Sequence, residues 1–170
     1  MSAWQNWQAA FLRQARSDWE AYQKTTELKW PYCHRLHYLQ MATEKLSKAL
    51  LIAGDIELEN LTASHAAFVN FMRAAGKNRK LQKTLGLKKS PLQAHFKKLL
   101  PLSHEIELLA PALAKSGPNP EYPWEDPSGN VFAPTDYSFP LINRLQKTPQ
   151  GIQLLRHIEV FIMRFEELFM

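Results

Sequence analysis

The chain has 170 residues, 45% of them hydrophobic, and a formal net charge of +5 at pH 7. That length fits one domain over residues 1–170 and allows roughly two-thirds of the unfolded surface to be buried, so no disulfide or metal staple is required. The single cysteine, Cys33, excludes an intrachain disulfide and has no partner at zinc or redox spacing, which places the expected compartment in the reducing cytoplasm.

Residues 1 to 7 lack the basic head and apolar run of a secretory signal, so export is not expected. From there, Trp4, Trp7, Phe11, Ala15, Trp19 and Tyr22 recur at three- and four-residue intervals, predicting a first helix over residues 3 to 24. Tryptophans can stack on bases, but a stripe at helical spacing reads as core or as an oligomer interface.

Pro31 suits the first turn of a second helix. In it Leu39, Ala42, Leu46, Ala49 and Ala53 form a heptad-like seam, with Glu44 and Lys48 paired on the outside, and Gly54-Asp55 ends it. The longest apolar run, residues 49 to 53, is far short of the roughly 18 to 20 residues that span a bilayer, so no membrane association is expected. Thr62 or Ser64 is positioned to cap a third helix that buries Ala67, Phe68, Phe71 and Met72 and stops at Gly76.

Charge is unevenly distributed. Residues 60 to 104 contain no Asp or Glu but hold nine cations: Arg73, Lys77, Arg79, Lys80, Lys83, Lys88, Lys89, Lys97 and Lys98. The remaining 12 cations face 16 acids, a net of −4, so a basic centre sits in a mildly acidic frame. This asymmetry points to a polyanionic partner, and the lysine bias favours attraction to phosphate over base reading. Residues 77 to 89 read as a loop or a solvated helical turn. Ser90-Pro91 then signals a helix start, and Phe96, Leu99, Leu102, Ile106 and Leu109 continue its apolar face past Pro101, which should kink or divide it.

Residues 116 to 140 contain Pro118, Pro120, Pro123, Pro127, Pro134 and Pro140, which forbid one continuous helix. The Asp126-Pro127-Ser128-Gly129-Asn130 turn permits a short hairpin, packed by Tyr122, Trp124, Phe132, Tyr137 and Phe139. Thr148-Pro149 starts a last helix, in which Ile152, Leu155, Ile158, Ile162, Phe165 and Phe169 run at helical spacing to the end. The expectation is an all-α, up-and-down bundle of four to five helices with a long proline- and aromatic-rich connection before the last.

Neither the dinucleotide fingerprint nor the Walker phosphate loop occurs, and no cofactor is expected. Cys33, His34 and His37 share a helical turn but supply too few ligands for a metal, so no metal site is expected. His95 and His104 lie near lysines. A neutral imidazole beside cations resists protonation, so either residue could act as general base on an RNA 2′-hydroxyl. The binding candidates are Lys77, Arg79, Lys80, Lys83, Lys88, Lys89, Lys97 and Lys98.

The Gln40-Met41-Ala42-Thr43-Glu44-Lys45-Leu46-Ser47-Lys48-Ala49-Leu50 run, followed by Ser64-His65-Ala66-Ala67-Phe68, resembles HEPN domains, the helical nucleotide-binding bundles with an Ala-x-Glu-Lys-x-x-Lys-Ala core helix and a histidine opening the next. The likeness covers about residues 33 to 72. It implies a four- or five-helix bundle, often a homodimer, and many such domains are metal-independent ribonucleases of toxin or defence systems, some paired with a small nucleotidyltransferase. Their catalytic signature is an arginine, four to six residues, then a histidine. None of the eight arginines here precedes a histidine at that spacing, although Lys89 precedes His95 and Lys98 precedes His104 with five residues between. The resulting expectation is a non-catalytic HEPN-like module that contacts RNA, a nucleotide or another anionic partner. A metal-independent ribonuclease and a protein-binding bundle are the alternatives.

Overall fold

A computed structural model describes residues 3–52, 67–86, 88–115 and 117–170, and the fold is an all-α bundle with one two-stranded ribbon. Among the described residues the helices are α1 (Ala3–Glu27), α2 (Tyr32–Leu51), α3 (Phe68–Ala75), α4 (Arg79–Thr84), α5 (Lys89–Glu107), α6 (Pro111–Ala114), α7 (Pro140–Lys147), α8 (Pro149–Met163) and α9 (Phe165–Phe169). The long helices α1, α2, α5 and α8 carry the bundle, with α3 packed into its core and the other short helices between or after them. None of the described helices is long and apolar enough to cross a membrane.

Helices α1 and α2 form an antiparallel hairpin whose turn is fixed by Trp30 N–H donating to Thr25 O and by Arg35 Nε donating to Thr26 Oγ1 at 3.2 Å. Leu12, Ala15, Trp19 and Tyr22 of α1 meet Leu36, Leu39, Ala42, Leu46 and Ala49 of the α2 seam, all buried. The aromatic stripe departs from expectation at its start: Trp4 and Trp7 are 49% and 44% exposed. Gln8 is the buried residue there, its Nε2 donating to Ala49 O near the end of α2, so the turns before Gln8 extend past that helix.

Glu44 and Lys48 do pair, at 2.7 Å, but inside rather than outside, at 7% and 4% exposure. Gln40 Nε2 donates to the second Glu44 oxygen, which satisfies a carboxylate that would be costly to bury alone. Ala53, Gly54, Asp55, Thr62, Ser64 and His65 lie outside the described residues. Ala67, Phe68, Phe71 and Met72 are buried as expected, and Gly76 follows α3 directly. A Cβ on Gly76 would come within 3.2 Å of Phe96 Cβ, so glycine here permits close approach of α3 and α5.

Helix α5 is continuous through Pro101, which corrects the expected division. Pro101 faces solvent, where the Lys97 carbonyl that loses its helical donor can be hydrated. The helix begins at Lys89, so Ser90 and Pro91 fall within its first turn, where proline's missing donor costs nothing.

The proline-rich connection contains the hairpin, β1 (Trp124–Glu125) against β2 (Val131–Phe132). Asp126 Oδ1 accepts from Ser128 and Asn130 N–H, and Gly129 takes φ +84, which favours glycine. Trp124, Phe132, Tyr137 and Phe139 pack ring against ring, but Tyr122 is 61% exposed and stands apart. As expected, no continuous helix runs through residues 117–139, and Pro140 opens the short helix α7 that follows. Thr148 caps α8 as expected, accepting from Gly151 N–H. The final helix is divided at Arg164, with Phe165 and Leu168 turned inward beyond the break and Ile152 exposed.

Candidate anion-binding surface

All nine cations of the middle segment are exposed, and no described carboxylate lies within ion-pair distance of any of them. Their placement follows from three short-range constraints. Gly76 ends α3, Asn78 starts α4, and Leu81, fully buried, is the one apolar anchor of that helix. Asn78 makes two bonds: its Oδ1 accepts from Leu81 N–H and its Nδ2 donates to Leu168 O, both at 2.8 Å. The side chains of α4 that are not Leu81 are left on the solvent side.

Two adjoining concavities result, sharing Lys77 and Gln93. The first, of about 460 Å³, has Arg73, Lys77 and Lys97 at its rim over Met72, Phe96 and Leu100. The second, of about 570 Å³, is lined by Lys77, Arg79, Lys83 and Lys89 with Gln82 and Gln93. Among the described residues, no acidic side chain lines either. Six of the nine cations therefore converge on one furrow between α3, α4 and α5, while Lys80, Lys88 and Lys98 do not line it. Lys80 lies toward α9, where the Glu167 carboxyl is held below its usual range first by its hydrogen bond from Arg164 and least by the Lys80 charge.

Neither candidate histidine lines the furrow. His95 follows Gln93 by two residues, about 200° around α5, and meets α8 instead. Its Nε2 lies 2.7 Å from His157 Nε2, so one ring donates and the other accepts. His157 packs against Phe96 and Phe161 on one side, at ring separations of 5.2 and 5.8 Å with those two rings 6.0 Å apart, and burial followed by the proximity of His95 lowers its pKa to about 4. His95 is lowered too, by burial and then by Lys98. His104 is exposed, with Nδ1 3.5 Å from Glu107 Oε2. The other Glu107 oxygen accepts from Val69 N–H at 2.7 Å, in the first turn of α3.

The Cys33, His34 and His37 turn is dispersed by the helix. Cys33 is buried in the core, its thiol pushed up by burial, and His34 points to solvent. His37 Nδ1 lies 3.3 Å from Glu121 Oε1. Among the described residues no group of three or more His, Cys, Asp or Glu could hold a metal. His157 and Arg73 were absent from the sequence-derived site residues. Arg73 was legible as part of the charge run, whereas nothing local marks His157, whose role comes from packing 62 residues away.

Comparison of the chain with family models, curated proteins and solved structures gives no match.

Proposed function

We propose that this protein is a non-catalytic, HEPN-like helical module that binds the phosphate backbone of RNA in the furrow between α3, α4 and α5. The observation that carries the reading is the convergence of Arg73, Lys77, Arg79, Lys83, Lys89 and Lys97 on two adjoining concavities with no carboxylate among their described lining residues. Uncompensated cations repel one another, and a backbone that releases its counterions on binding relieves that repulsion. Four of these six are lysines, suited to attracting phosphate without reading bases. Neither His95 nor His104 lines the furrow, which supports binding over cleavage.

Anisotropy titration of a labelled single-stranded RNA tests the reading. Binding at low salt that weakens with added salt and is lost when Lys77, Lys83 and Lys89 are replaced by Glu is the expected result. Binding that is absent at low salt, or that survives the triple replacement, overturns it. Competition by a mononucleotide at micromolar concentration would instead identify a nucleotide site.

A homodimer remains part of the proposal, supported by Trp4 and Trp7, exposed one turn apart on the start of α1. Exposed tryptophans are enriched where proteins associate. Light scattering that gives twice the chain mass, reduced to one on Trp4→Ser with Trp7→Ser, is expected, and a monomer at 100 μM would remove this part.

A further inference from the structure

We infer that His95 and His157 form a two-ligand site for a single borderline transition-metal ion, Cu²⁺, Ni²⁺ or Zn²⁺, that clips α5 to α8. This site is separate from the furrow and does not depend on RNA binding.

The two imidazoles come from different helices and present Nε2 to Nε2 at 2.7 Å. Such a contact needs one unprotonated Nε2 as acceptor, which is the ligand form. His157 packs on one side against Phe96 and Phe161, stacked on the latter at 5.8 Å, so its ring is the more confined of the two. His95 is half-buried and meets Phe96 edge-on at 5.4 Å, leaving it the freer partner. Metal–nitrogen bonds of about 2.0–2.1 Å at a tetrahedral angle put the two nitrogens about 3.3 Å apart. Metal binding thus requires the His95 ring to swing so that the two nitrogens open from 2.7 Å to that separation and their lone pairs converge on the ion.

The proton balance is simple. The donating ring moves its proton from Nε2 to Nδ1, both rings remain neutral, and two nitrogen–metal bonds replace one hydrogen bond. No net proton is released, in contrast to a metal that captures ordinary protonated surface histidines. The other coordination positions are taken by water, since no third His, Cys, Asp or Glu is within reach among the described residues. Two neutral imidazoles without thiolate or carboxylate suit copper, nickel and zinc and discriminate against magnesium and calcium, with Cu²⁺ the strongest binder.

The experiment uses the full chain and metal salts alone. Copper titration followed by electron paramagnetic resonance at one equivalent should show two imidazole nitrogens on one ion, and micromolar Ni²⁺ or Zn²⁺ should raise Tm while Mg²⁺ does not. His95→Gln and His157→Gln should each weaken metal affinity at least tenfold, and His104→Ala should leave it unchanged. Circular dichroism checks that each variant is folded, and should His157→Gln fail to fold, His95→Gln alone decides. Unchanged affinity in a folded His95→Gln variant, a single bound nitrogen, or loss of binding in His104→Ala overturns the site.

Discussion

Glu107 Oε1 accepts the Val69 backbone N–H at 2.7 Å, so the last turn of α5 caps the first turn of α3 from 38 residues away. α3 begins at Phe68 after Ala67, which offers no side-chain cap of its own. An anion at a helix N-terminus satisfies an orphan donor and complements the helix dipole. Glu107→Ala should therefore cost about 1–3 kcal/mol, read as a lower urea midpoint at unchanged m-value. Glu107→Gln keeps an acceptor and should recover part of the loss.

Stability should fall as acid is added, because His157 is neutral in the fold. Its pKa is about 4 in the folded chain against 6.5 for the free side chain. Below pH 6.5 the unfolded chain binds the proton and the folded one does not, so the contribution present above 6.5 is lost as pH falls toward 4. His95, lowered in the same direction, adds to this, and Lys98 is the nearby charge that opposes protonation of His95. A loss on the order of 2–3 kcal/mol is expected across that window. Urea midpoints at steps of pH check it: His157→Phe should flatten the slope, and an equally steep slope in that variant would contradict the assignment.

Gly151 is needed for space. It is buried in the first turn of α8, and a Cβ built on it would come within 2.1 Å of Arg144 O and 2.5 Å of Leu145 Cα. Both are backbone atoms of α7, which cannot rotate away. Gly151→Ala should destabilise by about 2–4 kcal/mol despite alanine's better helix propensity. Thermal unfolding compared with Gly86→Ala, a position with nothing within 4 Å but φ +63, would separate crowding from backbone strain.

Charge reversal should act by location. Lys77 lines both concavities, so Lys77→Glu should weaken RNA binding about tenfold or more and lower the salt slope by about one phosphate contact, near 0.7 for a single strand. Lys98→Glu, off the furrow, should change affinity less than threefold at 150 mM salt, where screening extends only about 8 Å. Equal effects at the two positions would mean that overall charge, and not the furrow, drives association.

The sequence made the long helices legible because burial repeats at helical spacing: the α2 seam of Leu39, Ala42, Leu46 and Ala49 and the α5 face of Phe96, Leu99 and Ile106 are all core. The capped start at Thr148 and the Asp126 to Asn130 turn were legible for a local reason, side chains bonding their own backbone. Proline misled once: Pro101 is absorbed on the exposed side of α5, whereas the prolines of residues 116 to 140 do exclude one continuous helix, with Pro140 opening α7 at the position where its missing donor is harmless. The location of the Glu44–Lys48 pair could not be read, since spacing sets the contact but only the packed neighbours decide whether it is inside. The basic furrow was legible as a run of charge, but its division into lining and outlying lysines required knowing how α4 turns on Leu81. His95 was visible as a candidate, while its partner His157 depends on two helices meeting.

The Asn78 side chain has a consequence for how the molecule fluctuates. By bonding Leu81 N–H on one side and Leu168 O on the other, it splices the six-residue α4 to the last turn of the chain. Helices this short do not persist alone, so α4 and α9 should gain and lose their backbone protection together as one cooperative unit. In hydrogen exchange, the amides of residues 81 to 85 and of 168 to 170 would then share an opening free energy below that of α2. The Arg79 and Lys83 side of the furrow would thus melt and re-form in step with the carboxyl-terminal turn, and a bound polyanion would slow exchange at residues that it never touches.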